Sequence, residues 1–380
     1  MTLFSNWFGR KNKTDSFGQE LSFDCPLVLL QSDDWGRVGV RDKEGYEQLR
    51  ASGIRLGENP YDFYTLETAE DVTALRDVLK RHRDYTGRAA CLVMNFLMSN
   101  LNFPKMIAGN FEHTELLPLT EGLPGNWKRP GLFEVYRQGI ADEVFYPALH
   151  GLTHFCSMAA EHALSKAGER ADLLRTLWKA ETPYIYWRMP WIGYEYLNPE
   201  KPQAGFLSAD KQGKLIQQAA NIFEAFFSKK PISACAPGYR SNSDTHLAWS
   251  RCGVRVAQNG SGSPLAPHMD EYGILNLHRT IDIEPTQRDL PIEKYVQLAE
   301  SCFARGIPAI VSVHAINFHS SLKDFRTPTL QILDQFLSAI EKKHPNLLYV
   351  HDADVYDIVT RGKLRTSYSP IPITVKMRQK

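Results

Sequence analysis

Three short stretches of the chain carry the residue types that metal-assisted hydrolysis needs. "QSDDWG" sets Asp33 beside Asp34, "HGLTH" sets His150 four residues before His154, and "SVHAINFH" carries His314, Asn317 and His319. One carboxylate oxygen and two imidazole nitrogens make a facial set of three ligands for Zn2+ or a similar ion, with positions left open for water and substrate. An ion so held acidifies a bound water and polarises a carbonyl. The other carboxylate of the Asp pair is turned away from that ion, because successive strand residues point to opposite faces. It is free to take a proton from water. His314, across the site, can protonate a departing amine. Together these groups describe an amide hydrolase.

Each stretch alone has a plainer reading. Paired histidines pack in many proteins, an Asp-Asp pair commonly forms a turn or a helix N-cap, and a histidine ending a strand is often only hydrogen-bonded packing. The conjunction is what points to chemistry. All three stretches directly follow apolar runs that read as buried strands: Pro26–Ser32, Val144–His150 and "IPAIVSVHA".

Those runs belong to an alternation of strands and helices. Ala89–Phe96 reads as a further strand, as do "PISACAP", "VRVAQN", "GILNLH" and "NLLYVHD". Between them lie amphipathic segments such as Ala69–Tyr85, which places Val72, Leu75, Val78 and Leu79 on one helical face, and Lys214–Lys230. Alternating strands and helices imply parallel pairing, hence a β/α barrel or a doubly wound sheet. "NGSGSP" has neither the Lys-Ser/Thr of a phosphate loop nor dinucleotide spacing, which favours the barrel. In a barrel, groups at the C-terminal ends of the strands converge on one site.

Composition sets the outer bounds. A chain of 380 residues with 43% hydrophobic side chains can bury a large core, and its net charge of +1 offers no field for nucleic acid or anionic lipid. Six scattered cysteines without a Cys-x-x-Cys pair point to a reducing compartment. The first residues lack the apolar run of a signal peptide or membrane span, so the expected location is cytoplasmic. The expected organisation is a polar leader at 1–22, one barrel domain at 23–365 with an insertion at about 156–230, and a C-terminal tail at 366–380.

These motifs, in this order, resemble the polysaccharide deacetylase family, also known as the NodB-homology or carbohydrate esterase 4 group. The resemblance implies an α/β fold, a distorted (β/α)7 barrel, that removes N- or O-acetyl groups from sugars with a divalent metal. It assigns Asp33 as catalytic base, Asp34, His150 and His154 as metal ligands, and His314 as general acid. Zn2+ is the expected ion, with Co2+, Ni2+ and Mn2+ compatible. The chain departs from the family pattern in several places. The family arginine that steadies the base precedes a proline, whereas Arg240 in "ACAPGYRSN" follows Pro237; Arg240 is the candidate for that role. "VAQNGSG" lacks the family's Asp and Trp beside the acid, which leaves Asp282 as the candidate to tune His314. Trp35-Gly36 replaces Gly-Pro after the Asp pair.

Between His154 and Pro231 runs "TPYIYWRMPWIGYEY" (Thr182–Tyr196), dense in Tyr and Trp. Aromatic faces stack on sugar rings, and Arg188 or Glu195 could bond hydroxyls. The same stretch reads equally as an insertion with its own small core, or as a contact through which a homo-oligomer forms. Trp187, Tyr239, Trp35 and Asn317 are the candidate substrate contacts, with His319 a loop residue nearby. His246, His268 and His278 are expected to be structural. The partner expected is a carbohydrate, with neither nucleic acid nor a membrane. Two other functions stay open: hydrolysis of another C–N bond, of ureide or cyclic-imide type, and carbohydrate binding without turnover.

Overall fold

A ten-stranded sheet forms the centre of the protein. The structure is a computed structural model, and it describes residues 19–166, 168–198, 205–260, 265–288, 290–366 and 369–378. Most of the expected leader and residues 261–264 of the "NGSGSP" loop lie outside the described residues. In chain order the strands that shape the site are β1 (Leu27–Trp35), β2 (Leu92–Leu97), β3 (Phe145–Gly151), β4 (Ser233–Cys235), β5 (Val256–Asn259), β6 (Leu275–His278), β7 (Ile281–Asp282) and β8 (Ala309–His314). Their spatial order is β7-β8-β1-β2-β3-β4-β5-β6, every neighbouring pair parallel. His268–Met269 adds an antiparallel edge to β6, and Leu348–Tyr349 pairs with the start of β1.

The sheet curls until one chain segment serves both of its ends. Only Arg279 and Thr280 separate β6 from β7. The Arg279 N–H donates to Asn259 O (3.1 Å), and the next N–H, that of Thr280, donates to Ile310 O on β8 (2.9 Å). The backbone therefore changes partner at Arg279, which brings β5 and β8 to the two sides of the same short segment.

The period-two alternation of strand side chains divides two layers. Val28 and Leu30 of β1, Leu92, Met94 and Phe96 of β2, and Ala309, Val311 and Val313 of β8 join the large cluster beneath the helices. Leu27 and Leu29, Val256, Leu275 and Leu277, and Ile310 form a second, inner cluster closed by Val355 and Ile358 of the helix Asp352–Arg361. Farther along the same inward faces stand Gln31, Asn95, Gln258, Arg279 and Ser312, all within 2% of fully buried. The interior thus passes from apolar to polar toward the C-terminal ends of the strands. Buried polar groups are tolerated only when hydrogen-bonded, and these bond one another: Gln31 Nε2 and Gln258 Nε2 donate to Asp352 (2.7 and 2.6 Å), and Asn95 and Gln258 exchange amide bonds (2.8 and 3.0 Å).

Helices cover the outside. Ala69–Arg81 starts at Thr68, whose hydroxyl accepts from the Asp71 N–H while Asp71 accepts from the Thr68 N–H. Such a cap is worth about 1 kcal/mol. Val72, Leu75, Val78 and Leu79 are buried, as the sequence spacing predicts. The helix expected at Lys214–Lys230 runs from Ala209 to Phe227. The stretch after His154 forms two helices, Ser157–Ser165 and Glu169–Lys179, and two single 3-10 turns, Tyr186–Arg188 and Pro190–Ile192. Trp178, Tyr184, Ile185, Met189, Ile192 and Tyr196 belong to the same cluster as β1, β2 and β3, so this segment shares the main core. At the other end, Glu20–Phe23 pairs antiparallel with Val375–Arg378, joining the end of the expected leader to the expected tail. No helix of the described residues is long and apolar enough to cross a membrane.

Candidate active site

β1 runs three residues farther than its apolar pattern suggests, so Asp33 and Asp34 lie within the strand. Its pairing with β2 shifts register between Ser32 and Trp35. Asp34 sits in this irregularity with φ of 75°, a left-handed conformation that is uncommon outside glycine. The Tyr64 hydroxyl donates to the Asp34 carbonyl (2.8 Å), and the Gly36 N–H donates to Glu67 (3.0 Å). A bulge of this kind re-aims a side chain at the rim of a sheet. Both carboxylates consequently border one cleft of about 550 Å3, together with Arg37, His150, His154 and His314.

The Asp34 Oδ1 lies 3.3 Å from His154 Nε2 and 3.6 Å from His150 Nε2. Asp34 Oδ1 and His150 Nε2 are both buried; His150 Nε2 has no hydrogen-bond partner, and Asp34 Oδ1 is ion-paired with Arg37 Nη1 at 2.8 Å. The opposite ring nitrogens are engaged. His150 Nδ1 donates to Cys235 O (2.9 Å), and His154 Nδ1 meets the Tyr184 hydroxyl (2.6 Å). Such partners fix the imidazoles so that the Nε2 lone pairs face the cleft. Burial drives His154 well below its usual pKa, which favours the neutral, ligating form. Burial would raise Asp34, but Arg37 and the two histidines bring it well below the usual carboxylate range. These three groups fit a divalent ion: their ligand atoms lie within 4.8 Å of one another, and the buried His150 Nε2 has no hydrogen-bond partner.

The loop that carries the second histidine is anchored from behind. The N–H groups of Leu152 and Thr153 both donate to Glu195 Oε1 (2.8 and 2.9 Å). Burial pushes Glu195 up to about 8 despite these bonds. Glu195, expected to bond a substrate hydroxyl, is instead a buried brace for the His150–His154 turn.

Asp33 is held by an arginine, and it is not Arg240. Arg279 Nη2 donates to Asp33 Oδ1 (2.6 Å) and Nη1 to Oδ2 (2.8 Å), while Asn95 Nδ2 adds a bond to Oδ1 (2.7 Å). The guanidinium also bonds Gln31, Gln258, Ser312 and the Tyr239 hydroxyl. Burial would raise the Asp33 carboxyl, yet the Arg279 charge, followed by His150 and His314, holds it well below the usual range. Arg240 is exposed, on the loop after the turn Pro237–Tyr239. Arg279 could have been found in the sequence, since it directly follows the strand-like "GILNLH".

His314 likewise has a partner other than the one expected. Its N–H and Nδ1 both approach Glu284 Oε1 (2.9 and 2.6 Å), and its Nε2 lies 3.8 Å from Asp33 Oδ2. Burial would lower its pKa, but Glu284 raises it to about 9. Asp282 is exposed. Glu284, two residues on, turns into the site and is fastened by Asn317 Nδ2. Asn317 also accepts from the N–H and hydroxyl of Thr286 (3.1 and 2.9 Å). It is fully buried behind Glu284, so it orients His314's partner and does not line the cleft. His319 is buried too, edge-on to Tyr64 and 3.5 Å from Glu67 Oε2.

The remaining candidates separate cleanly. Trp187 and Tyr239 line the cleft, with Tyr61 and Tyr194. Trp187 Nε1 donates to Asp62 (2.8 Å), tying the segment over the site to the Pro60–Phe63 turn. Trp35 is fully buried, stacked on Phe318 at 5.8 Å, and belongs to the core and not to the cleft wall.

No protein-family profile matches the chain, and no curated protein matches it. Solved structures do resemble it. One is a Mycobacterium smegmatis protein described as a polysaccharide deacetylase, at 12% identity and a TM-score of 0.46, covering 90% of this chain and 95% of that one. Another is a family 4 carbohydrate esterase from Streptomyces lividans, at 9% identity and a TM-score of 0.36, covering 86% and 92%. A third is the PuuE allantoinase, at 12% and 0.45, covering 88% and 91%. Polysaccharide deacetylases are thus among the structures that this chain is similar to, at low identity. What its side chains can do rests on their own geometry.

Proposed function

We propose that the chain is a metal-dependent hydrolase that removes an acyl group, in the simplest case acetyl, from a carbohydrate. The observation that carries this reading is the convergence of Asp34 Oδ1, His150 Nε2 and His154 Nε2, with the far nitrogens of both rings already engaged. Asp34, His150 and His154 would hold the ion. A mixed N2O set suits Zn2+ and accepts Co2+, Ni2+ or Mn2+. Such an ion, when bound, supplies Lewis acidity toward the acyl carbonyl and the attacking water.

The other residues divide the proton work. Asp33 accepts the proton of the attacking water. Arg279 and Asn95 keep its basicity low, so it holds that proton only in passing. His314, positively charged at neutral pH through Glu284, delivers a proton to the leaving nitrogen or oxygen. Tyr61, Trp187, Tyr194 and Tyr239 supply the aromatic surface that a sugar ring stacks on. In this reading the curled sheet is a distorted (β/α)7 barrel, the segment at about 156–230 roofs its mouth, and six unpaired cysteines suit the cytoplasm.

The test is acetate release from N-acetylhexosamine oligomers by the purified protein. Release should stop on chelation, return with Zn2+, and be absent in Asp34→Ala and His150→Ala. An Asp34→Ala protein with full activity would refute the reading. Tight sugar binding without release would turn it to carbohydrate binding.

A further inference from the structure

Arg37 has no part in the scheme above, yet it touches the atom on which that scheme depends. Its Nη1 lies 2.8 Å from Asp34 Oδ1, the same oxygen that faces both histidine Nε2 atoms. The guanidinium lies over the Tyr64 ring at 4.0 Å and 5.1 Å from the Tyr184 centroid. Tyr64 also bonds the Asp34 backbone, and Tyr184 bonds His154. Arg37 is 7% exposed, lines the cleft, and among the described residues has no acidic partner besides Asp34. A fixed positive charge is therefore built against the oxygen that a cation would need.

We propose that Arg37 weakens the hold of this centre on a divalent ion, and so sets the free-ion concentration at which the centre fills. The proposal rests on the metal reading of Asp34, His150 and His154. Two effects of Arg37 oppose each other. As an outer partner it helps to orient Asp34, and losing such a partner typically costs roughly ten- to a hundredfold in metal affinity. As a cation it repels the ion. A unit charge about 5 Å from a divalent ion, at an effective dielectric constant near 20, corresponds to well over a thousandfold in affinity. The Tyr64 hydroxyl and the backbone irregularity continue to orient Asp34 without Arg37, so repulsion is the larger effect.

The experiment is a Zn2+ titration of the metal-stripped full chain in competition with a chromophoric chelator, with circular dichroism as the fold control. Arg37→Met should bind Zn2+ at least about tenfold more tightly than the unaltered protein. Arg37→Lys, which keeps the charge, should stay within about threefold of it. Arg37→Gln provides a second neutral side chain should the methionine variant misfold. Equal or weaker binding by a folded neutral variant overturns the proposal while leaving the metal reading intact. Absence of Zn2+ binding in all forms overturns both.

Discussion

Replacing Glu284 by Gln should move the alkaline limb of activity by two pH units or more. The Glu284 carboxylate is the only acidic group bonded to His314 Nδ1 among the described residues, and it raises the imidazole from 6.5 to about 9. Gln keeps an oxygen that can accept from Nδ1–H and from the backbone, but removes the charge. Burial, opposed only by the Asp33 and Asp34 charges, then brings the imidazole back toward 6.5. The change of about 2.5 units corresponds to roughly 3 kcal/mol, at about 1.36 kcal/mol per unit. At pH 7.5 nearly all of the unaltered His314 is protonated, whereas about a tenth would be in the variant. Acetate release at pH 7.5 should fall roughly tenfold, recover below about pH 6, and lose its alkaline midpoint near 9. The sign for stability is the same. His314 has a raised folded-state pKa, so its contribution is complete below 6.5 and is lost as pH rises through about 9. A pH–rate profile with an NMR titration of the ring tests this. An alkaline limb unchanged in a folded variant would refute the role of His314 as acid and of Glu284 as its charge partner.

Five further outcomes follow from the same geometry. Arg279→Met leaves the fully buried Asp33 without its counter-charge, and should cost about 3–5 kcal/mol of stability in denaturant titration; Arg240→Ala should stay within about 0.5 kcal/mol and keep its activity. Glu195→Gln preserves the acceptor for Leu152 and Thr153. Because the Glu195 folded-state pKa is raised from 4.5 to about 8, its stabilising contribution is complete below 4.5 and drains as pH rises through 8; the variant should lose less stability between pH 6 and 8.5. Trp187→Ala should raise KM several-fold with little change in kcat, since this ring borders the cleft and its Nε1 bonds Asp62, outside the reacting groups. Trp35→Ala should instead lower stability by about 3–5 kcal/mol, read from thermal or chemical unfolding, because it removes a fully buried ring from the core.

Much of the site was legible because it follows a local rule. Asp33, Asp34, His150, His154 and His314 all stand where an apolar run ends, and a parallel sheet gathers such ends at one rim. The residues that tune them were not legible in the same way. The pairing of Arg279 with Asp33 spans 246 positions, and that of Glu284 with His314 spans 30. Arg240 and Asp282 were the candidates in motif order, but the turn after β4 and the outward phase of β7 leave both exposed. Trp35 shows the converse: adjacent to the ligands in sequence, it faces the core.

The sequence by itself determined which chemistry was available. Its strand–helix alternation required parallel pairing, and the types of residue at the strand ends required a carboxylate–imidazole centre. Only the tertiary structure decided the electrostatics of that centre. Opposite charges find one another through the closure of the sheet, which joins β6 to β7 at Arg279, and through the bulge that turns Asp34 toward both histidines and Arg37. These are distances of a few ångströms between residues far apart in the chain. They depend on how strands register and where side chains turn, which no spacing along the sequence records.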